Sequence, residues 1–183
     1  RVVKSIKHPG VVEIHAVGEL PDGRPWVAME HLEGGQTLAA RIQRQGPMHF
    51  SEARTLVRGI LDAVEAIHER DLLHGDIKTE NVFLVRGPDD ALRVVLLGIG
   101  TDKLRGRPSQ AAERTGNFGV FGTAKVLAPE LLRGEASDRR ADIYSVGALL
   151  YELVTGRPPF AGHVAIDALI GHLTREPEPP SHN

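Results

Sequence analysis

His74-Gly75-Asp76-Ile77-Lys78-Thr79-Glu80-Asn81-Val82-Phe83-Leu84 crowds acidic, basic and amide side chains together and then runs straight into an apolar strand pattern. If the loop is tight, Asp76, Lys78 and Asn81 converge on one small volume. Such a set handles a hydroxyl proton, a phosphate and a metal ion. A polar surface loop ahead of a strand fits the same residues, so the flanking sequence has to decide.

The chain has 183 residues, 41% of them apolar and 25% charged, the balance of a globular domain with a sizeable core. Its formal net charge of −2 offers no basic footprint for nucleic acid. There are no cysteines, which excludes disulfides and thiolate metal sites. The nine histidines show no metal spacing such as His-Glu-x-x-His, and His68, His74, His163 and His172 stand apart. No apolar run reaches membrane-spanning length and no signal-peptide pattern is present, so a cytoplasmic location is expected. The chain opens on Arg1-Val2-Val3-Lys4 without an initiator Met, which reads as a fragment.

Upstream of the loop, Arg1 to Lys7 reads as the last turns of a helix ended by His8-Pro9-Gly10. Val12, Ile14 and Ala16 alternate as a strand, Pro21-Asp22-Gly23 turns, and Trp26 to Met29 forms a second strand of a hairpin. Regularity breaks from Glu30 to Gln36. Thr37 caps a short helix ending near Gly46-Pro47. Ser51 caps a longer one to about Arg70, whose core face is Leu56, Val57, Ile60, Leu61, Val64 and Ile67.

Downstream, Val82 to Val85 and Leu92 to Leu97 read as short strands around Gly87-Pro88-Asp89-Asp90. Gly98 to Gly122 has no sustained periodicity, and a loop of that length is usually functional or mobile. Asp142 to Thr155 reads as a helix apolar nearly all round and therefore buried, capped by Gly156 and stopped by Pro158-Pro159. Another helix runs from Val164 to about Thr174, followed by a Pro-rich tail.

In this order the pieces resemble the protein kinase family, of bacterial Ser/Thr type, over nearly the whole chain. His74-Gly75-Asp76 with Lys78 and Asn81 resembles the catalytic loop. Met29 to Gln36 resembles the hinge. Gly122-Thr123 and Ala128-Pro129-Glu130 resemble the end of the activation segment. Asp142-Ile143-Tyr144-Ser145-Val146-Gly147 through Phe160 resembles the buried helix of the large lobe. The resemblance implies an α+β kinase-like fold: a small-lobe remnant at 1–30, an incomplete large lobe at 31–176 and a tail or truncation point at 177–183. It implies ATP and magnesium as cofactors, and a protein substrate or signalling partner.

It also implies roles. Asp76 receives or orients the substrate hydroxyl proton, Lys78 neutralises charge on the transferred phosphate and favours Ser/Thr over Tyr, and Asn81 holds a metal ion. Thr123 lies near Asp76 and Lys78. The Glu30 carbonyl and Leu32 backbone bond an adenine, with Met29 behind it, Phe83 beneath it where Leu is commoner, Glu80 beside the nucleotide, and Gln36 near the ribose or the substrate. His74, Asp142 and Glu130 are structural: Asp142 bonds the catalytic-loop backbone, and Glu130 usually pairs with an Arg beyond the end of this chain. Without that Arg, Glu130 is either buried alone or exposed.

The departures are as informative. Gly75 replaces the usual Arg, which removes the basic partner of a phosphorylated segment and argues against phosphate control at Ser109, Thr115 or Thr123. In Leu96-Leu97-Gly98-Ile99-Gly100, Gly98 replaces the metal-binding Asp of Asp-Phe-Gly, and Asp102 is out of register with it. Glycine has no oxygen for magnesium. No Gly-rich phosphate loop or strand Lys is present. Three readings follow: a Ser/Thr kinase with impaired activity, a pseudokinase acting as a signalling or scaffold module, or a remnant reading frame.

Overall fold

The computed structural model describes residues 6–87, 91–99, 124–161 and 165–182. The fold is α+β, and its frame is a three-stranded antiparallel sheet in the order β3 (Gln36–Thr37), β4 (Val82–Arg86), β5 (Leu92–Leu96). Successive strand side chains face opposite ways. Val82 and Leu84 of β4 therefore enter the main core, while Phe83 and Val85 face the other side.

Helix α1 (Leu38–Gln45) follows β3 directly, and Thr37 caps it by accepting from the Ala40 N–H at 3.1 Å. Helix α2 (Phe50–His68) lies across the core face of the sheet. Gly59 permits the close approach, because a Cβ there would stand 2.9 Å from Val94 Cγ2. On the far side of α2 lies α4 (Arg139–Thr155), whose Val146, Leu149 and Leu153 join Leu56, Ile60, Val64 and Ile67 in one core. The short α3 (Pro129–Leu132) precedes α4, and α5 (Ala165–Thr174) follows it. Among the described residues no helix is long and apolar enough to cross a membrane.

The hairpin is β1 (Ile14–Glu19) and β2 (Pro25–Met29), closed by a turn with Gly23 at φ +83°. It forms its own two-stranded sheet. Val12 is not part of it: the Val12 N–H bonds to Leu96 O at 3.0 Å, and Leu96 N–H to Gly10 O at 2.8 Å. The free edge of β5 captures this backbone before the hairpin begins.

Other expectations need correction. Ile6 and Lys7 are not helical, and the first five residues lie outside the described ones. His49, not Ser51, is the N-cap of α2: its Nδ1 meets Ser51 Oγ at 2.8 Å and accepts from Ser51 N at 3.4 Å. Leu61 is 38% exposed, because about 100° per residue carries it off the stripe set by Ile60 and Val64. Helix α4 starts earlier than Asp142, capped by Asp138, and it is not buried all round, since Ile143 is 49% exposed. Gly156 does end it in the left-handed conformation, φ +76°.

Two contacts tie α4 to the loops it supports. The Asp142 carboxylate accepts from the backbone N–H of His74 (2.8 Å) and Gly75 (2.9 Å) and sits 2.7 Å from His68 Nε2 at the end of α2. Ser145 Oγ donates to Val126 O at 2.8 Å, holding the strand of chain that leads into α3. On α5, His172 is buried, with Nδ1 2.7 Å from the Tyr144 hydroxyl of α4 and the Phe160 ring edge-on at 4.8 Å.

Replacing Asp142 by Ala leaves three buried donors without their acceptor. We expect a loss of about 3–5 kcal/mol, measured as a lowered urea midpoint. Burial pushes the His172 imidazole below its ordinary value, against a smaller opposing pull from the Lys125 and Ala124 backbone. The unfolded chain therefore takes up a proton near about pH 6.5 that the folded chain resists. This contribution to stability is present above that pH and lost as pH falls through it. Thermal midpoints should decline from pH 7 to pH 5 more steeply in the wild type than in His172→Gln.

Candidate active site

The loop after α2 is drawn tight at both ends. Ile77 is 1% exposed and Val82 0%, so both plug into the core and leave only a few residues to span between them. Gly75, at φ +79°, makes the bend that glycine takes without strain. His74 is fully buried, and its Nδ1 accepts from the Asp76 N–H at 3.3 Å.

Within this frame Asp76, Lys78 and Asn81 meet. Lys78 Nζ is 2.9 Å from Asp76 Oδ1, and Asn81 Nδ2 donates to Asp76 Oδ2 at 2.9 Å and to Asp76 O at 2.8 Å. Asp76 is 6% exposed and Lys78 8%, so the ion pair is largely withdrawn from water. A pair this buried needs good geometry and added hydrogen bonds to offset desolvation, and the Asn81 amide supplies one. With an ammonium on one oxygen and an amide on the other, the Asp76 carboxylate is held in one orientation. It suits aligning a hydroxyl.

Gly98 lies directly against this group. Its φ is +82°, and the atoms nearest to a Cβ placed there are those of Asn81, Nδ2 at 3.3 Å and Oδ1 at 3.8 Å. The Leu97 N–H bonds to Asn81 O at 2.8 Å and ties the end of β5 to the loop. The two positions expected to share a metal are therefore neighbours, yet one of them carries no side chain and the other turns its amide nitrogen to Asp76. Magnesium takes oxygen ligands in near-octahedral array. The side chains at Asn81 and Gly98 do not fit it, and among the described residues no group of three or more His, Asp or Glu could hold a metal ion. Ile99 is buried as an apolar plug. Gly100, Asp102, Ser109, Thr115, Gly122 and Thr123 lie outside the described residues.

The hinge residues are spread more widely. Met29 ends β2 and is 41% exposed. The Glu30 N–H bonds to Glu13 O, and its carboxylate accepts from Glu13 N, both at 2.9 Å. Leu32 and Phe83 do come together, packed with Leu97 over Val12, Val85 and Val95. Gln36 pairs with Leu84 in the sheet and receives a hydrogen bond from the Arg44 guanidinium. Glu80 is exposed and accepts from Thr79 Oγ1 at 3.3 Å. Glu130 is half-buried in a groove with Glu135, Asp138, Arg140 and Tyr144, between the two states expected of it.

Two residues escaped sequence reasoning. His68 ends the apolar face of α2, where it meets Asp142, rather than standing apart. Glu152 is 9% exposed in α4, and Thr79 Oγ1 lies 3.4 Å from it. Burial raises its carboxyl above the ordinary value, opposed by Lys125, while Glu80 adds to the rise. A charged residue inside an otherwise apolar helix was the visible signal for it.

Residues 1–176 match the family model described as protein kinase domain. The chain is 34% identical over 187 residues to the probable serine/threonine-protein kinase PknB of Bifidobacterium longum, covering 98% of this chain and 26% of that protein. It is 32% identical over 180 residues to the serine/threonine-protein kinase PknB of Mycobacterium tuberculosis, covering 97% and 28%. A crystal structure of a double mutant of the Mycobacterium tuberculosis PknI kinase domain aligns with TM-score 0.68 at 25% identity, covering 87% of this chain and 56% of that one. The chain thus spans about a quarter of the length of these curated relatives. The tight loop carrying Asp76, Lys78 and Asn81, the α+β frame around it and the match across residues 1–176 agree: this chain belongs to the protein kinase family.

Proposed function

We propose that this chain belongs to a protein Ser/Thr kinase whose phosphoryl transfer is impaired at the metal. The supporting observation is the contrast within one site: Asp76, Lys78 and Asn81 are in contact, while the adjoining position is Gly98. The family uses ATP and magnesium to phosphorylate protein hydroxyls. In the reaction the substrate oxygen bonds to the γ-phosphorus, the bond to the ADP oxygen breaks, and the hydroxyl proton must leave. Asp76 orients that hydroxyl and receives its proton. Lys78, beside it, offsets negative charge on the transferred group, which is where most catalysis of this reaction arises. By family resemblance Thr123, outside the described residues, is assigned to the catalytic set, and Glu30, Leu32, Met29, Gln36, Glu80 and Phe83 to the nucleotide side.

In the family magnesium would offset the charge of the phosphates, but Asn81 and Gly98 do not offer it a fitting ligand set. Gly98 leaves Asn81 without its carboxylate partner, so this part of the site is weak. The same observation favours a second reading, a pseudokinase that acts as a signalling or scaffold module through its surface.

Gly98→Asp separates the two. A Cβ at Gly98 would stand 3.3 Å from Asn81 Nδ2, so the flexible end of Asn81 must give slightly, and Asp is among the residues that best tolerate a positive φ, at a cost of about 1 kcal/mol relative to glycine. In the full-length polypeptide with ATP and magnesium, we expect weak phosphotransfer from the wild type. Gly98→Asp should raise it at least about tenfold, the equivalent of about 1.4 kcal/mol in the barrier, and adding Asp76→Ala should abolish it. Robust wild-type turnover lost in Asp76→Ala would exclude impairment. Silence in Gly98→Asp as well would sink the catalytic reading in favour of the scaffold.

A further inference from the structure

Between Lys78 and Asn81 the loop makes a single 3-10 turn (Thr79–Asn81), and no side chain caps it at Lys78. The turn closes on a backbone bond from Asn81 N–H to Lys78 O at 2.9 Å. Its side-chain tie to α4 runs through Thr79, which is 2% exposed. Thr79 Oγ1 lies 3.4 Å from Glu152 Oε2 of α4 and 3.3 Å from Glu80 Oε2.

A hydroxyl brings one proton. Between two carboxylates it leaves one of them without a donor, and both distances are long for a hydroxyl that serves a single acceptor. The arrangement is satisfied when one carboxyl carries a proton of its own. Glu152 is the group to hold it, because it is buried while Glu80 is exposed, and burial disfavours the charged form. Burial raises the Glu152 carboxyl above its ordinary value, Lys125 opposes the rise, and Glu80 adds to it. Protonated Glu152 donates to Thr79 Oγ1, and Thr79 in turn donates to Glu80.

We infer that Glu152 is a positioning residue for phosphoryl transfer, acting through the Thr79 hydroxyl on the turn that brings Lys78 and Asn81 to Asp76. The inference deepens the kinase reading proposed above and rests on it. Helix α4 then braces the loop at both ends: Asp142 holds the backbone at His74 and Gly75, and Glu152, about three helical turns further along, holds it at Thr79. A turn that slackens at Thr79 loosens the contacts of Lys78 Nζ and Asn81 Nδ2 with the Asp76 carboxylate. Misplacement of about 1 Å at a reacting group is enough to slow a reaction of this kind.

Phosphotransfer by the full-length polypeptide carrying Gly98→Asp, with ATP and magnesium, tests this. Thr79→Val and Glu152→Ala should each lower kcat about tenfold and leave the KM for ATP within about twofold, as expected for one hydrogen bond that positions reacting groups. The double variant should be no worse than either single one, since both remove the same link. Glu152→Gln, whose amide donates to Thr79 at any pH, should restore kcat. Thermal midpoints supply a readout without activity. A carboxyl raised in the folded chain adds stability that is full below its ordinary value of 4.5 and is lost as pH rises through its folded value. From about pH 4.5 to about pH 6 the midpoint of the polypeptide with Glu152 should therefore fall by about 2–4 °C relative to Glu152→Gln.

Folded Thr79→Val and Glu152→Ala variants with unchanged kcat would overturn the positioning role and leave the kinase reading standing. If Glu152→Ala does not fold, Thr79→Val against Thr79→Ser decides: equal kcat in the two overturns the role. Losses that multiply in the double variant, or a midpoint that does not fall against Glu152→Gln, would overturn the link through Thr79. Silence of Gly98→Asp in every form would overturn the kinase reading and the inference with it.

Discussion

A single buried carboxylate organises the reactive part of this molecule. Asp142 projects from α4, 2% exposed, and is met by two backbone N–H groups of the loop and by His68 of α2. A charge so far from water is tolerated only because its oxygens are satisfied. Those three partners come from the loop and from the end of α2, so the helix pair and the loop are stabilised together. Asp76, Lys78 and Asn81 inherit their positions from that arrangement, with Ile77 and Val82 fixing the loop from the core side.

The site built on this anchor is unequal. The part around Asp76 is closely bonded: both Asp76 oxygens have partners, and the Lys78 side chain is nearly buried. The part around Gly98 is backbone without a side chain, next to an amide already committed to Asp76. The platform of Phe83, Leu32 and Leu97 lies on the opposite face of β4 from the core, because strand side chains alternate. One strand thus serves the core with Val82 and Leu84 and the outer face with Phe83 and Val85. Proximity of the loop to the outer face follows from Asn81 directly preceding β4.

Much of this was legible in the sequence where a local rule operates. Thr37 as a cap, Gly156 as a stop and the stripe Leu56, Ile60, Val64 and Ile67 follow from helix geometry within a few residues, and all appear. The misreadings have separate causes. Val12 has the right alternation for the hairpin but is captured by β5. Ser51 is a good cap residue, yet His49 takes the position. Leu61 is apolar at nearly the right spacing and is still 38% exposed, because helix geometry turns it off the stripe set by Ile60 and Val64.

The sequence by itself determined the family, the order of the elements, the Asp76, Lys78 and Asn81 set and the missing carboxylate at Gly98, since each depends on residue type and spacing along the chain. Only the tertiary structure decided that His68 belongs to the Asp142 anchor, that Gly98 abuts Asn81, and that Phe83 is seated against Gly35. Those are contacts between segments far apart in sequence. Their geometry is set by how α2, α4 and the sheet pack on one core, which no local pattern encodes.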